Sequence, residues 1–319
     1  MEFTNIPSDG FLMVRTADRK VTAKGMPYLD LTLSDKTGEI NAKLWDYHEE
    51  VQGVFEPGTI VKIRGSIAPY NGVDQLRIER IRKALPSDGV DPADFVPTVD
   101  VDGNKLYDEL MLIAENMTDN DIKSIVIDIY SEYKDKLVFW PAAFRLHHAV
   151  RGGLLYHTLS IVRMAQAVCK IYPSINPDLL IGGAMLHDVA KTDEYVVNDG
   201  GTASGYSLEG NLVGHLAKGA MIIEKSAEKQ GISQEVKLLL QHMVLSHHGE
   251  PEFGAAVRPM LLEAELLSQL DLMDARIYEL EEAISGVQKG EYTNKMWALD
   301  NRKFYNHGKT EVDVKAKLF

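Results

Sequence analysis

The chain has 319 residues, 45% of them hydrophobic and 25% charged, which is enough for two globular domains and gives no sign of disorder. Its net charge of −13 argues against a protein coated in basic surface for duplex DNA, because non-specific nucleic-acid affinity rests on neutralising phosphates. No apolar run reaches the roughly 20 residues of a membrane helix, and Met1-Glu2-Phe3-Thr4-Asn5 lacks the basic flank and apolar core of a signal peptide; no membrane partner and a cytoplasmic location are expected.

The acid is unevenly spread. Residues 1–90 hold 12 Lys/Arg against 13 Asp/Glu, so the deficit falls on the remainder, with 22 against 34. Within the first segment, short runs of alternating apolar and polar residues broken by turn formers predict strands at 11–15, 28–33, 40–45, 60–65 and 75–81. A short helical link falls at 47–54, and Asn71-Gly72 marks a tight turn. Five strands with one helical connection predict a small all-β OB-type barrel over residues 1–90. Such barrels bind single strands by pairing a basic groove with aromatic faces. Trp45, Tyr28, Tyr47 and Tyr70 are the stacking candidates, with Lys43, Lys62, Arg64 and Arg77 for phosphates. Each has an ordinary alternative; Trp45 at a strand end could simply plug the barrel.

Residues 91–104 continue a stretch punctuated by Pro86, Asp88-Gly89, Pro92, Pro97 and Asp102-Gly103, the composition of a linker. Beyond it, residues 105–319 read as an all-α bundle, with helical periodicity at 105–117, 121–133, 153–171, 178–186, 213–230, 233–246 and 259–282. The small-residue segment 198–210 predicts an irregular excursion near a site mouth. The lone Cys169 cannot form an internal disulfide and is expected at a buried helix position.

The chemistry centres on Met185-Leu186-His187-Asp188-Val189-Ala190-Lys191, where an imidazole and a carboxylate adjoin at the end of an apolar helical stretch. Helical neighbours point about 100° apart, so two metals can share this corner. Neutral imidazole with carboxylate suits Mn, Fe, Co, Zn or Ni rather than the oxygen cage preferred by Ca. Lys191, a turn beyond Asp188, faces the same side. It can hold a phosphate oxygen or simply pair with Asp188 or Glu194. A lone histidine on an apolar helix is more often a packed core residue than a ligand, so His157 taken alone would not stand out.

The order His157, then His187-Asp188 with Lys191, then a late Asp271 resembles the HD superfamily of metal-dependent phosphohydrolases. Within it the chain is most similar to the YhaM-type 3′-to-5′ exoribonucleases, through the segment from Leu146-His147-His148 to Tyr156-His157-Thr158, Met185-Leu186-His187-Asp188 and Leu245-Ser246-His247-His248-Gly249. The likeness covers nearly the whole chain, since that family also carries an N-terminal OB-type domain. It implies a multidomain protein that hydrolyses single-stranded RNA or DNA from the 3′ end, with two divalent ions, Mn or Co ahead of Fe, Ni or Zn, and self-association into a homo-oligomer.

The same resemblance assigns His157, His187, Asp188 and Asp271 to one ion. Asp188 bridges to a second, completed by His215 and by His247 or His248, with His247 favoured. Catalytic work then falls to Asp188, Lys191 and His248. Asp274 competes with Asp271 and is left to pair with Arg276 or to orient a histidine. Arg151 and His148, in the glycine-punctuated loop before His157, are candidate substrate contacts together with Trp45, Lys62 and Arg64. The loop has an equal reading as a helix cap. Two rival functions stay open: a phosphohydrolase of small or cyclic nucleotides, and a nucleic-acid-binding regulator with a vestigial metal site.

Overall fold

The computed structural model describes residues 10–22, 24–35, 38–70, 73–90, 92–95, 99, 101–144, 148, 150–198, 200–310 and 312. It divides into two compact units, Met1–Thr98 with Val197–Ser204, and Val99–Val196 with Gly205–Phe319.

The first unit is a barrel of β1 (Gly10–Val21), β2 (Pro27–Asp35), β3 (Gly38–Trp45), β4 (Ile60–Tyr70) and β5 (Val73–Lys83), with α1 (Glu49–Gln52) between β3 and β4. The barrel closes in the order β1-β2-β3-β5-β4, with β3 and β5 parallel and the other pairs antiparallel, the topology of an OB barrel. Side chains alternate across each strand. Leu29, Leu31 and Leu33 of β2, Ile40, Ala42 and Leu44 of β3, Val61 and Ile63 of β4, and Leu76 and Ile78 of β5 fill the interior. Bulges between Val14 and Thr16 and between Arg64 and Gly65 shift the register, which bends strands toward closure.

The strands outrun the apolar alternation. β1 continues through polar, exposed residues to Val21 because its backbone goes on pairing with β2, a ladder that side-chain pattern does not report. Nor does the chain leave the barrel at residue 90: the short turn Pro92–Phe95 brings Phe95 against Met13, beside Phe11, Ile60 and Val90.

The second unit contains α2 (Gly103–Glu115), α3 (Asn120–Leu137), α4 (Gly153–Ile171), α5 (Pro177–Leu186), α6 (Lys191–Glu194), α7 (Leu208–Leu212), α8 (Gly214–Gln230), α9 (Gln234–Ser246) and α10 (Leu262–Ser285); in chain order the paired strands β6 (Tyr195–Val197) and β7 (Ala203–Tyr206) fall between α6 and α7. Side-chain oxygens of Asp102, Asp119, Asn176, Ser207 and Ser233 cap α2, α3, α5, α7 and α9 by accepting from first-turn amides. The unit is helical as the periodicity predicts, and residues expected as an irregular excursion contribute to the β6–β7 hairpin. At its turn Asn198 accepts from the Thr202 amide, and Gly201 takes φ 81°.

The centre of this unit is α5, which is buried from Asp178 to Leu186. It is apolar all round because α3, α4, α9 and α10 pack on it. A Cβ on Gly183 would come within 2.4 Å of the Met243 side chain, so glycine sets how closely α9 approaches. The fully buried Tyr130 donates its hydroxyl to the Met185 carbonyl at 2.9 Å, holding the last turn of α5 against α3. Cys169 is half-buried rather than buried, since the α4 face that packs inward ends at Ala165. Among the described residues no helix is long and apolar enough to cross a membrane.

Candidate metal centre

Two helices end at the same place. His187 caps the C-terminus of α5 and His247 caps that of α9. Each Nδ1 donates to the carbonyl three residues earlier, His187 to Ala184 and His247 to Val244, both at 2.8 Å. A carbonyl can only accept, so the proton sits on Nδ1 and the lone pair of each Nε2 faces inward. Helix C-termini carry partial negative charge, so both backbones favour a cation between them.

The other two imidazoles are set by acids. His157 of α4 donates Nδ1–H to Asp274 at 2.7 Å, and His215 of α8 donates Nδ1–H to Glu194 at 2.9 Å. Four histidines from four helices thus have Nδ1 engaged and Nε2 turned to a common centre, the arrangement in which an outer acceptor orients a ligating imidazole.

At that centre stands Asp188, 2% exposed. Its Oδ2 lies 3.2 Å from His187 Nε2, 4.0 Å from His157 Nε2 and 2.6 Å from the Lys191 ammonium. Its Oδ1 faces the other way, 3.7 Å from His215 Nε2 and 3.6 Å from His247 Nε2. Asp271 of α10 joins the first side, 3.1 Å from His157 Nε2. The possible ligand atoms fall into His157, His187 and Asp271 on one side and His215, His247 and His248 on the other, with Asp188 grouped with His187 and His247 between them. The sequence-expected ligands therefore converge. Both members of the His247-His248 pair do so, where one was expected to suffice.

Burial of unpaired acceptors is the test of fit for a metal. Asp188 Oδ1, His187 Nε2 and His215 Nε2 are buried without a hydrogen-bond partner among the described residues, an arrangement that is destabilising unless a cation satisfies it. Imidazole nitrogen with carboxylate oxygen fits a divalent transition metal.

The electrostatics agree. Burial works against the charged form of Asp188, but Lys191 and His187 outweigh it and hold the carboxylate well below its ordinary pKa. Burial pushes the His247 imidazole well down, as do His187 and His248, so it stands neutral and ready to coordinate. His248 is likewise lowered, by burial and then by His215. For His157, burial opposes charge, yet the hydrogen bonds to Asp271 and Asp274 prevail and raise its pKa to about 10. Those carboxylates attract a cation at this nitrogen, and a metal can take the place of the proton.

Other expected residues sit elsewhere. His148 is not an exposed substrate contact: it is 2% exposed, in the left-handed region at φ 54°, and donates from Nε2 to Asp274 at 2.9 Å. Glycine at 153 permits this close approach, since a Cβ there would lie 2.1 Å from the His148 carbonyl oxygen. Arg151 stacks its guanidinium over Phe139, 5.2 Å from the ring centroid. His147 lies outside the described residues. Asp274, weighed in sequence only as a rival or helper, holds His148 and His157 together. Glu194 was considered only as a partner for Lys191, and its grip on His215 has no local signature, being 21 residues away.

Replacing Asp274 by asparagine should weaken metal binding about 10–100-fold, the usual effect of losing an outer partner of a ligating histidine. Competition with a chelating dye measures it, and an unchanged affinity would remove Asp274 from the centre.

On the barrel, Trp45 is 42% exposed and does not plug the interior. Its ring centroid lies 4.9 Å from that of Tyr28, and the Lys43 ammonium sits 5.0 Å from the Tyr28 centroid. Tyr47 is not available for stacking; it is 3% exposed and donates its hydroxyl to the Gly53 carbonyl. The Tyr70 side chain lies outside the described residues. Lys62 is half-buried beside Phe11, with Arg64 and Arg77 exposed nearby.

Comparison with known proteins matches residues 154–276 to the HD domain and residues 13–84 to an OB-fold nucleic acid binding domain. The chain is 38% identical over 297 residues to the 3′-5′ exoribonuclease YhaM of Bacillus licheniformis, spanning 93% of this chain and 94% of that protein. It is 39% identical to the protein of the same name from Geobacillus sp., over 93% of this chain and 91% of that one. The corresponding protein of Bacillus subtilis is 35% identical, over 93% and 94%.

Proposed function

Because the chain belongs to the family of YhaM 3′-5′ exoribonucleases, we propose that it removes nucleotides from the 3′ end of single-stranded RNA, using two divalent ions, Mn or Co, held on either side of Asp188. The observation that carries this reading is the split of Asp188, with Oδ2 toward His157 and His187 and Oδ1 toward His215 and His247. His157, His187 and Asp271 would hold one ion, and His215, His247 and His248 the other. Such a pair supplies Lewis acidity toward phosphoryl oxygens and lowers the pKa of water.

The chain's own groups do the rest. Asp188 sets the spacing between the two ligand sets. Lys191, kept protonated by Asp188 against its burial, is placed to attract a phosphate oxygen. Asp274 and Glu194 hold His157 and His215 in the tautomer that presents Nε2. On the barrel, Trp45 and Tyr28 with Lys43 offer the stacking face and cation of a single-strand binder, each stacked base contributing about 1–3 kcal/mol. Keeping a long substrate bound between cuts raises its effective concentration at the centre. An RNA substrate accords with the cytoplasmic location expected from the sequence.

The reading is tested with 5′-labelled single-stranded RNA, its 3′ end free or blocked, incubated with Mn or with chelator. Stepwise shortening of the unblocked strand, Mn-dependent and running down to short products, is expected. Internal cuts, or equal degradation of the blocked strand, would contradict it.

A further inference from the structure

We propose that the outer face of β4 and β5 is a second binding surface for the RNA strand, a cationic ladder of Lys62, Arg64, Arg80 and Arg82 that takes phosphates running on from the aromatic face of β2 and β3. The register defines it. Lys62 stands opposite Arg82, and Arg64 opposite Arg80, on adjacent antiparallel strands. Like charges set directly opposite each other destabilise a sheet, and here two successive rungs carry them. The inward neighbours Val61 and Ile63 are buried, so the four cations share the outer face and line one concavity.

Two of the four already have a contact. Arg82 forks onto Asp88 at 2.7 and 2.8 Å, and the Lys62 ammonium lies 5.3 Å from the Phe11 centroid. Arg64 and Arg80 are exposed and have no acidic partner among the described residues. Glu79, at the bulge just past the Arg64–Arg80 rung, closes no ion pair with either arginine among the described residues. In a chain with a net charge of −13, this concentration of guanidinium points to an anion, and arginine is suited to phosphate through its paired N–H groups.

The ladder is continuous with the stacking face. Along β5 the outward series passes from Arg82 and Arg80 to Arg77, which stands opposite Ser66 on β4 and opposite Lys43 on β3. Lys43 in turn lies beside Tyr28 and Trp45. From Arg77 to Arg82 the strand advances roughly 16 Å at about 3.3 Å per residue, long enough to meet more than one phosphate. Bases are stacked at one end of this path and backbone charge is gathered along the other, a division that suits a single strand of any sequence.

The proposal rests on RNA being the substrate, and the experiment separates the two. Binding of a fluorescent 12-nucleotide single-stranded RNA to the full chain is measured by anisotropy across a salt series, in chelator so that the strand stays intact. Arg64→Gln/Arg80→Gln should weaken binding on the order of tenfold at low salt and flatten log K against log salt by about 1.4, at about 0.7 per phosphate on a single strand. Arg64→Lys/Arg80→Lys should keep most of the slope. Wild-type affinity and slope in the glutamine pair would overturn the ladder while leaving RNA binding in place. A slope flattened equally in the lysine pair would also overturn it, by showing that charge is not what matters. Wild-type protein that neither binds nor shortens RNA would instead overturn the functional reading.

Discussion

Replacing Asp188 by asparagine should lower RNA hydrolysis on the order of 10³-fold, since a metal centre is asked for several kcal/mol of charge stabilisation at 1.36 kcal/mol per factor of ten. The reason lies in its two oxygens. Asp188 lies within 4.0 Å of imidazoles of both groups, so an amide that cannot carry the negative charge disrupts both sides together. The same substitution also strips the buried Lys191 of the oxygen 2.6 Å away. Breaking one partner from a buried ion pair costs about 3–5 kcal/mol, although Asp271 and Glu194 also act on Lys191 and soften the loss. Stability and chemistry can therefore be separated. Asp188→Asn/Lys191→Met removes both partners and should recover much of the melting temperature with no recovery of hydrolysis, measured side by side on one labelled RNA. Activity returning together with stability would mean that Asp188 matters for folding alone.

Chelation should destabilise the helical unit and spare the barrel. A ligand at about 1,000 times its Kd stabilises a folded protein by about 4.1 kcal/mol. At roughly 2–4 °C per kcal/mol for a domain of this size, the metal-loaded helical unit should melt on the order of 10 °C above the chelated one. The gain is available because the fold itself gathers buried, unpaired acceptors at Asp188, His187 and His215. Calorimetry checks this with a built-in control: the barrel, whose core is apolar, should show no shift, and Asp188→Asn should abolish the shift in the helical unit. Equal melting with and without chelator would contradict a metal centre.

Much of this was legible in the chain, for identifiable reasons. Strand alternation in β2 and β3 follows from a barrel with one wet face, and the cap residues Asp119, Asn176 and Ser233 mark helix starts by a mechanism that is local in sequence. His187-Asp188 stood out because two potential ligands adjoin at the end of an apolar helix. What escaped was non-local. The pairing of Asp274 with His148 across 126 residues and of Glu194 with His215 across 21 depends on helix packing, which no spacing encodes. His148 was a candidate substrate contact in a glycine-punctuated segment; Gly153 instead lets it pack close and stay buried. The rungs of the cationic ladder appear only once the bulge between Arg64 and Gly65 fixes which residues of β5 stand opposite β4.

The most direct measurement is anomalous X-ray diffraction at the manganese edge from crystals of the full chain grown with Mn. The account predicts one peak on each side of Asp188, the first among His157, His187 and Asp271 and the second among His215, His247 and His248. Density confined to other parts of the molecule, with none beside Asp188, would contradict it.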